Sequence, residues 1–183
     1  MIDNSFIEFW SKKYDDSDVG SDEEDYREIL KKVSQEVNQQ GTITKSTFFL
    51  ILNWKAPRVK GIIKNRCFHE YEEGIKKAIE APDEQKLQIL DELYGIGIPI
   101  ASTILHFIYP STFPIMDVRV TEVLHHFGYL KAKTRSRSNY VEFRRIILSM
   151  SQCFRCTLRE IDRALFAYHK IVLGSKLKAC TKH

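Results

Sequence analysis

Leu87-Gln-Ile-Leu90-Asp-Glu-Leu93-Tyr94-Gly95-Ile96-Gly97-Ile98-Pro99-Ile100-Ala101-Ser102-Thr103-Ile104-Leu105 decides the reading of this 183-residue chain. Leucines at helical spacing end one helix, two glycines one residue apart make a tight turn, and a second helix starts at once. The glycines permit backbone angles closed to other residues and let a ligand come close to the main chain. The first backbone N–H groups of the second helix have no partner inside it and sit at the positive end of its dipole. A phosphate suits that position. Pro99 costs nothing there, because its missing N–H would make no bond inside the helix. Ala101 and Ser102 are small enough for the two helices to pack closely. A plain helix corner capped by glycine is the competing reading. The agreement of the leucines, the apolar residues around each glycine and the small residues after them places a phosphate-binding hairpin ahead of it.

Outward from this hairpin the apolar residues recur at helical spacing almost everywhere. Ser21-x-x-Glu24 is a capping box, opening a helix with Ile29, Leu30, Val33 and Val37 on one stripe and an end near Gly41. Thr44 starts a helix carrying Phe48 and Leu52, and Pro57 interrupts it and suits the first turn of another. Residues 68–80 form a helix through Tyr71, Ile75 and Ile79, and Asp83 opens the one that leads into the hairpin. Residues 99–109 and 118–127 are compact apolar helices, and Val141 to Met150 mark one more. A second capping box, Thr157-x-x-Glu160, opens a helix running through Val172. The clearest extended piece is Thr112-Phe-Pro-Ile-Met116. The expectation is an all-α body of eight to ten short helices.

Composition sets the class. Hydrophobic residues are 43% and charged residues 28%, ordinary for a folded soluble protein. No apolar run approaches the roughly 18 residues that a membrane span needs. Met1-Ile2-Asp3-Asn4 lacks the basic-then-apolar plan of a signal peptide, and four scattered cysteines do not make a disulfide scaffold. The expected place is the cytoplasm. Charge is uneven. Residues 1–30 hold ten acids against three bases, a balance of −7, so that within a total of +4 the remaining 153 residues carry +11. The division expected is an acidic N-terminal arm or first helices over residues 1–30 and a helical domain over 31–183. The basic body can attract a polyanion. Its densest stretch is Lys131-Ala-Lys133-Thr-Arg135-Ser-Arg137, with no acid inside it. The acidic residues 15–25 suit either an exposed loop or a segment lying on the basic body as a mimic of nucleic acid.

Residues 87–105 resemble the helix–hairpin–helix motif, whose usual pattern is Leu-x-x-Leu-x-Gly-Ile/Val-Gly-x-x-x-Ala. Pro114-Ile-Met-Asp117-Val-Arg119-Val-Thr-Glu-Val-Leu-His-His-Phe-Gly128 resembles the segment that follows it in the HhH-GPD superfamily of base-excision DNA glycosylases. The spacing from Gly97 to Asp117 fits, and Phe49-Leu-Ile-Leu-Asn53 sits where that superfamily has its I-L-S-Q helix. A bacterial branch of it is more similar still, on Trp54-Lys55-Ala-Pro57-Arg58, Gly95 to Ser102, and Asp117-Val-Arg119-Val120. The likeness covers roughly residues 44–173. It implies a multi-helix DNA glycosylase-like fold.

The resemblance also implies a chemistry. Breaking an N-glycosidic bond passes through a cation-like sugar, which a fixed carboxylate stabilises while it orients or deprotonates water. Asp117 matches the superfamily's catalytic Asp. An Asp before a helix is otherwise an ordinary N-cap, and the hairpin upstream is what lifts the catalytic role above that. Gly95, Ile96, Gly97 and Ile98 match the phosphate-binding turn, whose carbonyls are expected to hold a monovalent cation while DNA is bound. Lyase members carry a Lys after the second glycine. Ile98 and Pro99 stand there, so water is the expected nucleophile and the expected enzyme is a monofunctional DNA N-glycosylase. A flipped base leaves a space, and Asn53 and Trp54 occupy the region that fills it in the superfamily. A core or interface role for Trp54 stands equally open. Lys55 and Arg58 suit phosphates or plain solubility. Arg119, in place of an Asn or His, suits either a clamp on the target phosphate or a partner for Asp117. The Gln of the I-L-S-Q helix is absent.

Other chemistry finds little here. Cys153-x-x-Cys156 is half of a zinc site, and Cys180 alone stands where some relatives carry a four-cysteine iron–sulfur loop, so no metal centre is expected. Adjacent His125 and His126 point to different helix faces, and His106 reads as structural. The expected partner is double-stranded DNA, with the protein a monomer and no membrane. The alternative is a helix–hairpin–helix protein of the same fold that binds DNA without chemistry, Asp117 serving only as a cap.

Overall fold

A computed structural model, describing residues 1–16 and 23–174, gives ten α-helices and one π-helical turn, and no strand occurs among the described residues. The protein is all-α. The helices are α1 (Asn4–Asp16), α2 (Glu23–Gln40), α3 (Lys45–Lys55), α4 (Pro57–Ile63) and α5 (Phe68–Glu80), followed by α6 (Asp83–Asp91), α7 (Ile98–Ile108), α8 (Val118–His126), α9 (Arg137–Phe154) and α10 (Leu158–Tyr168).

Their ends follow local chemistry. α2 stops where Gly41 takes a φ of +67°, which glycine adopts without strain. Thr44 caps α3, and Glu36 grips the junction: its carboxylate accepts the Thr44 N–H at 2.7 Å, the Thr44 hydroxyl at 2.9 Å and the Thr47 hydroxyl at 2.8 Å. Pro57 is the first residue of α4. Thr157 and Glu160 form the reciprocal capping box of α10, with the Glu160 carboxylate taking the Thr157 N–H at 2.7 Å. Ser21, the first residue of the other capping box, lies outside the described residues. Residues 113–117 are irregular and buried up to Met116 rather than a strand. The last helix departs from expectation. It is α-helical only to Tyr168, and His169–Leu173 is π-helical. This wider turn begins at a buried histidine whose Nε2 lies 2.6 Å from the Glu122 carboxylate.

The chain divides into two compact units. One comprises Met1–Ser21 with Pro114–His183, the other Asp22–Phe113. The acidic first thirty residues are therefore shared, α1 belonging to the first unit and the start of α2 to the second. In the first unit α1 packs along α10. Phe6 and Trp10 of α1 each bring their rings to 5.2 Å from Tyr168, and Phe127 joins them at 5.3 Å. In the second unit Phe48, Ile51 and Leu52 of α3 are fully buried with Ile75 of α5 and Leu90 of α6. α7 is buried at Ile98 and from Ile100 to Phe107, in keeping with its nearly unbroken apolar sequence.

Candidate functional site

The hairpin belongs to the second unit. α6 ends at Asp91, the Ile96 N–H bonds to the Leu93 carbonyl at 3.0 Å, and Gly95 takes a φ of +77°. Gly97 differs from the expectation for both glycines. It is an extended N-cap with φ −94° and ψ 173°, angles open to any residue. Its carbonyl takes the N–H groups of Ile100 at 2.9 Å and Ala101 at 3.0 Å. Since Pro99 has no N–H, the donors left at this end of α7 are those of Gly97 and Ile98, with Gly95 one step before. None of the three has a partner among the described residues. Gly95 and Gly97 are exposed, while the Ile96 and Ile98 side chains are buried and pin the turn. The carbonyls of Leu93, Tyr94 and Gly97 are engaged, and those of Gly95 and Ile96 are the two that could ligate a monovalent cation.

A cation accompanies the turn that the sequence did not single out. The Arg66 guanidinium lies 4.4 Å from the centre of the Tyr94 ring, and the Tyr94 carbonyl accepts the Tyr71 hydroxyl at 3.0 Å. α4, which carries Arg58, runs up to Ile63, the side chain nearest to Gly95. Arg58 and Arg66 are exposed and Lys55 is half-buried. Buried Lys86, ahead of the hairpin, is a structural group. Its ammonium donates to the carbonyls of Ala78 at 3.1 Å, Ile79 at 2.8 Å and Ala81 at 2.6 Å, closing the C-terminus of α5.

Asn53 and Trp54 lie together at the end of α3. They line a depression of about 230 Å³ with Asp25, Glu28, Ile29 and Leu50. Trp54 is half-buried, its ring 5.9 Å from Tyr26 and 5.4 Å from Phe107. Tyr26 continues inward: its hydroxyl meets His106 Nε2 at 2.8 Å, and His106 Nδ1 meets the Phe113 carbonyl at 2.9 Å. A carbonyl only accepts, so Nδ1 carries the proton and Nε2 accepts from Tyr26. Both nitrogens of His106 are thereby used in holding the unit. The carboxylates of Asp25 and Glu28 give the Trp54 depression a negative rim, and Glu28 is held below the usual carboxylate range by its hydrogen bond to Lys32.

Asp117 belongs to the first unit. It is the N-cap of α8, and its Oδ1 accepts the Arg119 N–H at 2.9 Å. The buried stretch Ile115–Met116 leads into it, and the Pro114 carbonyl takes the Tyr140 hydroxyl of α9 at 3.0 Å. The Asp117 side chain is 16% exposed and that of Arg119 40%. The Arg119 guanidinium, 3.9 Å from Oδ1, lies over the Phe166 ring at 4.9 Å, and Lys170 Nζ lies 5.3 Å from the same ring. Two cations therefore gather on one aromatic near the carboxylate. The sequence pointed to Arg119 alone, because Lys170 and Phe166 come from the far end of the chain.

Among the described residues no three of His, Cys, Asp and Glu converge as a metal would require. Cys153 is exposed and Cys156 half-buried, with burial pushing the Cys156 thiol up. A larger depression of about 440 Å³ lies between α1 and the turn after α9. Lys12, Arg155 and Arg163 face Glu8, Asp15 and Glu160 there, so its charge is balanced. No described helix is long and apolar enough to cross a membrane. No protein-family model, curated protein or solved structure matches the chain.

Proposed function

We propose that this protein is a monofunctional DNA N-glycosylase of the helix–hairpin–helix kind, acting as a monomer in the cytoplasm. It would release a damaged or mispaired base from double-stranded DNA. The observation that carries the reading is the hairpin. The N–H groups of Gly95, Gly97 and Ile98 have no partner among the described residues and stand at a helix N-terminus, Gly95 and Gly97 are exposed, and Arg66 is stacked on Tyr94 in the same turn. Fixed donors, the positive end of a helix and a planar cation together suit a backbone phosphate. A phosphate there positions a duplex without reading its sequence.

In this reading Asp117 supplies the chemistry. The departing base leaves positive charge on the sugar, and the Asp117 carboxylate stabilises it and takes a proton from the attacking water. The cap bond to the Arg119 N–H holds the carboxylate in one orientation, so little reorganisation is needed. Arg119 and Lys170, both seated on Phe166, would hold the phosphate beside the reacting nucleoside. The carbonyls of Gly95 and Ile96 would hold a monovalent cation against the hairpin phosphate.

The deciding experiment offers duplexes bearing single deaminated, alkylated, oxidised or mispaired bases and detects abasic sites by alkaline strand cleavage. The expected result is release from at least one of them, lost in Asp117→Asn with duplex binding retained. Release from none removes the enzyme. That outcome would leave the second reading, a DNA-binding protein of the same fold without catalysis. It is favoured by one observation: Asp117 Oδ1 is already engaged as a helix cap on a side chain that is 16% exposed.

A further inference from the structure

The loop before α9 gathers the densest positive charge in the sequence and is held in a way that plain surface lysines are not. Residues 131–138 are all exposed, and no acidic residue occurs between Glu122 and Glu142. Cations stand at every second position, Lys131, Lys133, Arg135 and Arg137. The positions between them are tied down. Asn139 is 8% exposed, and its side-chain amide donates to the Ala132 carbonyl at 3.0 Å and to the Thr134 carbonyl. The loop is fixed at both ends as well. Buried Leu130 gives its carbonyl to His125 Nδ1 at 2.9 Å, and Ser136 caps α9 by accepting the Asn139 N–H at 3.2 Å.

We propose that this loop is a second, preformed docking site for the phosphodiester backbone of duplex DNA. The inference rests on the DNA reading above and extends it to residues other than the hairpin and Asp117. A buried amide spent on two loop carbonyls fixes the backbone and leaves the cations outermost, so little ordering entropy is lost when an anion binds. The occupant follows from what the loop lacks. Between Lys131 and Ser138 there is no aromatic or large apolar side chain to anchor a protein partner. Four exposed cations without an apolar anchor suit a polyanion such as the duplex backbone, which gains by counterion release. The same turn of α9 also serves the candidate catalytic segment. Asn139 holds the loop, and its neighbour Tyr140 donates to the Pro114 carbonyl, three residues before Asp117. A strand seated on the loop is thereby registered to the backbone that carries Asp117.

The test measures binding of the full chain to an undamaged fluorescent duplex by anisotropy at stepped potassium chloride. The wild type is compared with Lys131→Ala/Lys133→Ala/Arg135→Ala and with Asn139→Ala. The triple variant changes only exposed side chains and keeps the thermal midpoint. Its slope of log affinity against log salt should shrink by about 2–3, since each lost phosphate contact removes about 0.9. Asn139→Ala keeps every charge, and its affinity should fall roughly three- to tenfold as the loop must be ordered on binding. If Asn139→Ala fails to fold, the triple variant decides alone. An unchanged slope in the triple variant, with the wild type binding normally, overturns the loop site and leaves the hairpin reading standing. Loss of polyglutamate binding by the triple variant with duplex binding intact makes the loop a protein dock and also overturns it. No duplex binding by the wild type even at low salt overturns the DNA reading, and this inference with it.

Discussion

Asp117 and Arg119 are joined through the backbone more closely than through their charges. Oδ1 of Asp117 accepts the Arg119 N–H at 2.9 Å, whereas the Arg119 guanidinium stays 3.9 Å from that oxygen, over Phe166. The cap on α8 is therefore separable from the substrate contact proposed for this carboxylate. Asn caps a helix about as well as Asp, and Ala does not. Asp117→Asn should lie within about 0.5 kcal/mol of the wild type in urea unfolding, and Asp117→Ala should lose about 1 kcal/mol. Both should lose base release. An Asn variant that is stable and still releases base would show that the carboxylate does no chemistry.

The two hairpin glycines should answer the same substitution in opposite ways. A Cβ on Gly95 would be forced into the left-handed region and would meet Ile63 Cγ1 at 3.2 Å. Gly95→Ala should therefore cost about 1–2 kcal/mol of stability. A Cβ on Gly97 would find nothing nearer than Pro99 Cδ at 3.9 Å, in an ordinary extended conformation. Gly97→Ala should fold like the wild type but place a methyl where the proposed phosphate would approach. The loss of one charge-assisted hydrogen bond, about 1.5–3 kcal/mol, should weaken duplex binding roughly tenfold or more. Unfolding curves and anisotropy on the same two variants separate the roles. Unaltered binding by Gly97→Ala would remove the phosphate from this turn.

What the sequence made legible was what adjacent residues settle among themselves. Thr44 and Thr157 as caps, Pro57 as a first turn and Gly41 as a stop each depend on neighbours within about one helical turn, and the helix series follows from them. The two glycines look alike in sequence, yet Gly97, as the N-cap of α7, is extended and Gly95 is left-handed. Arg66 reaches Tyr94 and Glu122 reaches His169 only after helices have packed, so no local pattern announces either pair. Asp117 was legible as the start of a helix. The Phe166 platform beside it, with Lys170, depends on how α10 lies on α8.

Lys86 illustrates the same limit, because its acceptors are backbone carbonyls, which every sequence contains. Buried at 5% exposure, its ammonium serves three carbonyls at the end of α5 and lies 4.9 Å from the centre of the Tyr109 ring. Lys86→Met keeps most of the stem's packing but strands those acceptors. The cost of lost charge-assisted bonds and unsatisfied carbonyls is about 2–4 kcal/mol. The variant should lower the urea midpoint with an unchanged slope. A change below about 0.5 kcal/mol would show that water replaces the ammonium there.

Alkaline pH should loosen the unit that holds Asp117. Tyr140 is buried, and burial holds its phenol far above the usual tyrosine range, with Arg144 opposing this more weakly. The fold thus keeps the neutral form, whose hydroxyl donates to the Pro114 carbonyl at 3.0 Å. An unfolded tyrosine ionises near pH ~10. Because the folded value is the higher one, the stabilisation is complete below about pH 10 and drains away as pH rises beyond it. Tyr71, whose phenol burial also raises, acts in the same direction in the other unit. The thermal midpoint should stay level from about pH 7 to 8, soften above about 8.5 as the half-buried Cys156 thiol comes into play, and decline more steeply above about 10. Tyr140→Phe should cost about 1 kcal/mol at neutral pH, where the Pro114 carbonyl loses its donor, and should decline less steeply in the alkaline range. Parallel alkaline slopes for Tyr140→Phe and wild type would place the weak point elsewhere and free the Asp117 segment from dependence on this phenol.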